Sequence, residues 1–142
     1  MILLERIFSD DGTLIAIIVL PDFEKNGVNF LSEKDFPLQL GVSHYPKSSK
    51  IDAHIHLSRE ILINSIQEVV HIELGCVLVD FFDHFGKFIK SVKLPMGSTV
   101  LFISGGHGFT MIEDTRLVEI KQGPYLGKEK DKVIIDESGK FR

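Results

Sequence analysis

The chain has 142 residues, 44% hydrophobic and 25% charged, with a formal charge of −4. That length gives one domain, residues 1–142, able to bury roughly two-thirds of its unfolded surface. The acidic balance argues against a nucleic-acid partner, which needs a basic face. The most apolar run, Leu14 to Leu20, is far too short to cross a bilayer, so no membrane role is expected.

Strand signals dominate in chain order. Residues 2–8 and 13–20 are rich in Ile, Leu and Val and flank Ser9-Asp10-Asp11-Gly12, a hairpin turn whose glycine supplies a positive φ. Residues 32–35 fit one helical turn before Pro37, and no long amphipathic helix follows. Residues 39–44 and 50–56 read as strands separated by a turn at Pro46-Lys47-Ser48-Ser49. Residues 68–74 form a strand stopped by Gly75, and 77–82 turns through Asp83-His84-Phe85-Gly86 into 87–94. Residues 100–103 are a buried strand running into Ser104-Gly105-Gly106-His107-Gly108, and 109–112 and 116–120 make a last hairpin. Beyond Gly123-Pro124 a charged tail (123–142) carries one β-type island at 133–135, which could pair with an edge strand of its own barrel or of a partner subunit. Many short strands between turns point to an all-β sandwich or barrel.

His54 and His56 lie two apart, so on a strand both imidazoles share one face and Ile55 takes the other. Neutral imidazole is the commonest protein metal ligand, and a neighbouring carboxylate suits iron, manganese, nickel or zinc. His71, opposite in parity to Glu68, is expected to face outward, and His44 to be a core or rim residue. Phe81, Phe82, Phe88, Phe102 and Phe109 read as core or dimer contacts. Cys76, inside an apolar run and without a disulfide partner, reads as a buried hydrophobe and points to a reducing cytoplasm. The charged first six residues do not form the apolar region of a signal peptide.

His54, His56, Glu68 and Gly75, followed by Gly97, Gly105, Gly106 and His107, resemble the two motifs of the cupin superfamily over roughly residues 39 to 122. The resemblance implies a double-stranded β-helix, a jelly-roll barrel, with His54, His56, Glu68 and His107 as ligands of one divalent cation. Glu68 lies further from the histidines than the family's usual spacing. Glu60 sits at that spacing but has no glycine at the matching distance, and Glu68 is preferred because it opens the strand leading into Gly75. The glycine expected before the first motif is a serine, and the proline expected before the second histidine is missing.

The resemblance further implies a homodimer and an enzyme for a small, oxygen-rich metabolite. The run Glu119 to Tyr125 is similar to small cupins of surface-polysaccharide synthesis, which points to a sugar or nucleotide-sugar isomerase or epimerase. Arg59, Lys121, Gln122 and Tyr125 are the candidate substrate-binding residues, with Arg able to fork onto a phosphate or carboxylate. No residue is assigned as the catalytic base. A non-haem iron dioxygenase uses the same ligands, a metal-free ketoisomerase would use His54 and His56 as bases, and a sugar-binding module without turnover is the alternative outside enzymology.

Overall fold

The computed structural model describes residues 2–142. Its opening hairpin pairs β1 (Leu4–Phe8) with β2 (Leu14–Val19). The turn is fixed locally: Ser9 N–H donates to Thr13 O (2.9 Å), Gly12 N–H to Ser9 O (3.0 Å), and the Asp11 carboxylate accepts from the Ser9 hydroxyl and the Thr13 N–H. Such side-chain-to-backbone bonds are what Ser and Asp offer a turn. β3 (Gly27–Phe30) and β4 (Gly41–His44) form a separate two-stranded ribbon. Between them the expected helical turn reduces to one turn, with Phe36 N–H on Glu33 O (3.1 Å).

β5 (Glu68–Leu74), β6 (Cys76–Phe82), β7 (Phe88–Pro95), β8 (Thr99–Phe102), β9 (Gly106–Met111) and β10 (Arg116–Lys121) follow, then a single helical turn, α1 (Lys128–Asp131). The strands assemble as a five-stranded sheet in the order β1-β2-β8-β5-β10 and a three-stranded sheet in the order β7-β6-β9. Every pairing is antiparallel. The protein is therefore all-β, as its turn-punctuated strands require, but neither sheet closes into a barrel.

The main core lies between the two sheets and contains Ile18, Val70, Ile72, Val77, Val79, Phe81, Leu94, Val100 and Phe102. A second core covers the other face of the larger sheet, where Ile17, Val19, Val69 and Leu101 meet Leu31, Leu40 and the half-buried Phe23 and Phe36. β2 is thus apolar without interruption because both its faces are covered. Cys76 is buried and unpaired, as read from the sequence.

Two corners join the sheets at one end. Gly75 turns β5 into β6 with φ +86°, and a Cβ there would overlap Asp114 O and the Thr115 side chain of the β9–β10 turn. Because those corners abut, the free edges β9 and β10 lie on the same side of the molecule.

Two expectations are corrected. Residues 50–56 form no strand: every residue from 45 to 66 is exposed, and no strand lies between His44 and Glu68. The alternation is present, but no sheet edge in this chain takes up the segment. The tail island, expected to pair with an edge strand of its own barrel or of a partner subunit, pairs within the tail itself. Ile134 and Arg142 exchange backbone hydrogen bonds (3.0 and 2.7 Å) and Ile135 bridges Phe141, closing a short hairpin through Asp136 to Gly139. Among the described residues, no helix is long and apolar enough to cross a membrane.

Candidate functional site

β5 alternates between the two cores. Val70 and Ile72 face the main core, and Glu68, in the same parity, points into its open end. On β9 the inward set includes His107 and Phe109, opposite Phe81 and Val79. The two strands bring Glu68 and His107 together from different sheets: His107 Nε2 lies 3.2 Å from Glu68 Oε2, both side chains mostly covered. The imidazole stacks on Phe102 (ring centroids 3.7 Å apart, planes 18° from parallel) and meets Phe109 edge-on at 5.6 Å. A ring fixed on two sides by aromatics and at its tip by a carboxylate is held in place before any ligand arrives.

The His107 hydrogen bond outweighs the cost of burial and holds the Glu68 carboxyl below its ordinary range, with smaller contributions from the charges of His107, Lys121 and Lys132. Lys121 is opposite Glu68 in the β5–β10 register, so the pairing of the sheet carries this cation to the site. Its ammonium donates to Asp131 Oδ2 of α1 (2.9 Å), which raises its pKa, and stands 5.7 Å from the centre of the Tyr125 ring.

Beside Glu68, Gln122 Oε1 accepts the backbone N–H of Gln67 (2.8 Å). Gln67 Oε1 and Gln122 Nε2 are both buried without a hydrogen-bond partner, one free acceptor and one free donor at the same end of the core. Buried polar groups are normally satisfied, so a neighbouring unsatisfied pair marks a place where something polar fits.

Of the candidates read from the sequence, the structure thus unites Glu68, His107, Lys121 and Gln122, with Tyr125 exposed at the margin. It does not bring His54 and His56 to them. Those rings pack against each other edge-on (centroids 5.2 Å apart) in the exposed 45–66 segment, which also carries Arg59 and Glu60. Among the described residues no group of three or more His, Cys, Asp and Glu side chains is placed to hold a metal ion. The four expected ligands stand as two pairs. Imidazole and carboxylate at Glu68–His107 are the right donor chemistry for a first-row transition metal, but two donors are fewer than the three or four a protein site normally supplies.

Comparisons with family models, curated proteins and solved structures find no match. The functional reading therefore rests on the geometry.

Sequence reasoning missed Asp131 and Lys132, read as solvated tail, and Gln67. Nothing in their local pattern signals a site; only the return of the tail toward β10 does so. His71 lies on the opposite face of β5 from Glu68, as parity requires, but is half-buried instead of outward, with its Nδ1 2.9 Å from the Thr99 hydroxyl.

Proposed function

We propose that the chain is a metal-binding jelly-roll protein of the cupin type that acts on a small oxygen-rich metabolite, a sugar or nucleotide sugar undergoing isomerisation or epimerisation. The observation that carries this reading is the Glu68–His107 pair, held in an aromatic cradle at the open end of the core. Beside it β9 is an unpaired edge. A strand added to that edge with the parity of residues 51–57 would turn His54 and His56 inward beside His107 and Ile55 outward. It would also extend the three-stranded sheet toward the closure that a jelly roll needs.

The four side chains would hold iron, manganese, nickel or zinc, and a divalent cation there supplies polarisation of a substrate oxygen. The chain's own groups supply the rest. Glu68, ionised through its contact with His107, offers a negative oxygen at neutral pH. Lys121 faces the same mouth and suits an anionic or polyhydroxy substrate, while Gln67 and Gln122 have an acceptor and a donor free for hydroxyl groups. The Phe102 and Phe109 rings exclude water from the inner side.

The test is elemental analysis of protein purified without added metal, beside Glu68→Ala and His107→Ala. Wild type is expected to retain a transition metal and both variants to lose it. Metal-free wild type that also shows no thermal shift with Zn²⁺, Mn²⁺, Fe²⁺ or Ni²⁺ would overturn the metal reading.

One observation favours a second reading. A carboxylate 3.2 Å from an imidazole is also the arrangement that orients a general base. A metal-free isomerase would use His107, positioned by Glu68, to move the proton. Its deuterium exchange into substrate would survive chelation and fail in His107→Ala.

A further inference from the structure

We infer that residues 127–142 of the tail are a strap across the mouth of the Glu68–His107 site, latched by Asp131 on Lys121, and that an anionic ligand opens it by taking the place of Asp131. The inference rests on the reading that this mouth receives an anionic or polyhydroxy substrate, and it requires no metal.

The course of the tail is the first ground. Following β10 of the larger sheet, it passes Lys121 and Glu68 and reaches β9 and the β6–β7 turn of the smaller one. Asp131 Oδ2 accepts from Lys121 Nζ (2.9 Å), and the charge of the next residue, Lys132, is felt at Glu68. Ile135 lies against Gly106, where a Cβ would come 2.4 Å from its Cδ1. Gly106 has no left-handed φ, so what its missing side chain provides is a seat for Ile135. Gly139 and Phe141 then lie against Gly86. One segment thus bridges the two sheets at the end of the core where Glu68 and His107 meet.

The second ground is how lightly that segment is attached. Neither core includes a residue of the tail. Its backbone hydrogen bonds are internal, within the α1 turn and the hairpin closed by Ile134 and Arg142. Among the described residues, the Lys121–Asp131 contact is its only hydrogen bond or ion pair to the sheets. A cleft of about 800 Å³ separates the tail hairpin from Phe82, Phe85 and Phe88. A segment held by one polar contact and a few apolar ones can part from the body without disturbing either core.

The third ground is chemical. Lys121 is engaged by a carboxylate of its own chain, and a ligand's carboxylate or phosphate makes the same charge-assisted bond. An ion pair between partly exposed side chains is weak, so an anion from solution can replace it. At the same end of the core Gln67 Oε1 and Gln122 Nε2 are buried without partners. The closed tail leaves both unmet, and a polar ligand admitted by its opening pairs them.

The test is NMR of the full-length protein titrated with inorganic phosphate, with sodium chloride at equal ionic strength as control. Phosphate, and not chloride, should shift the Lys121 side-chain signals and weaken the nuclear Overhauser contact between the Ile135 methyl and the Gly106 α-protons. Asp131→Asn should tighten phosphate binding about two- to fivefold, the range of an exposed ion pair. Ile135→Ala loosens the far end of the strap while keeping every charge, and it should tighten binding as well; Lys121→Gln should abolish it. If Asp131→Asn tightens binding and Ile135→Ala does not, Asp131 is a competing charge and nothing more, and the inference fails. It fails equally if chloride acts like phosphate, if phosphate leaves Lys121 unmoved in wild type and Asp131→Asn alike, or if Lys121 shifts while the Ile135–Gly106 contact persists. None of these readouts uses a metal, so a wild type without metal would overturn the metal reading and leave the strap standing.

Discussion

Glu68 shows how one contact sets the chemistry of a side chain. Its carboxyl is held low chiefly by His107, so removing that imidazole should raise its midpoint toward the ordinary carboxylate range, a change that carbon NMR of the side chain would register in His107→Ala. The sign of the stability effect follows. A depressed carboxyl contributes stability that is present above its unfolded value and is lost as pH falls through the lower folded value. Asp11 is a separate case on the surface: hydrogen bonds from Ser9 and Thr13 bring it to about 2, and its NMR titration should show that midpoint instead of one near 3.8. Gly75 is the residue where backbone and packing coincide. With φ +86° and Asp114 O against the missing Cβ, Gly75→Ala should cost at least ~1–3 kcal/mol in urea unfolding, since the left-handed conformation alone costs that much for a non-glycine residue. Equal unfolding midpoints for the two proteins would refute the account.

The elements divide between those whose local pattern settles them and those that depend on a neighbour. β1 and β2 are legible because apolar runs flank a turn whose Ser, Asp and Gly each have a stereochemical duty. β5 to β8 and β10 are legible for the same reason, whereas β9 begins at Gly106, inside the stretch read as a glycine-rich turn; parity set Glu68 and His71 on opposite faces of β5, but His71 is half-buried there. Residues 50–56 carry an equally good alternation and form no strand, because a strand needs a partner edge and propensity supplies none. β8 has no such gap: it pairs with β2 and β5, and its Phe102 packs on Phe81, His107 and Phe109. Phe102→Ala should therefore cost ~3–5 kcal/mol, the usual range for emptying a buried Phe site. It should also free the His107 ring, visible as a narrower spread of imidazole shifts.

For the whole molecule, two antiparallel sheets enclose one core, and a second core lies under the segment that wraps the larger sheet. On one side both sheets end in free edges, and from that chain a long apolar segment projects without cover. Replacing residues 50–63 with a Gly/Ser linker should leave the two-sheet body folded, with its circular dichroism minimum unchanged, because this exposed segment contributes none of the residues of either core. Loss of the β signal would mean that the segment is integral to the fold.

The amino-acid sequence by itself determined the all-β class, the positions of most turns and the opposite facing of Glu68 and His71 on β5, since these follow from local sterics and from an alternation of period two. It also singled out Glu68, His107, Lys121 and Gln122, though as separate points along the chain. Only the tertiary structure decided that those four meet at one end of a core while His54 and His56 stand elsewhere. Which strands become neighbours, and which edge stays open, is set by long-range pairing such as Glu68 with Phe102, Lys121 and His107, and no local pattern encodes it.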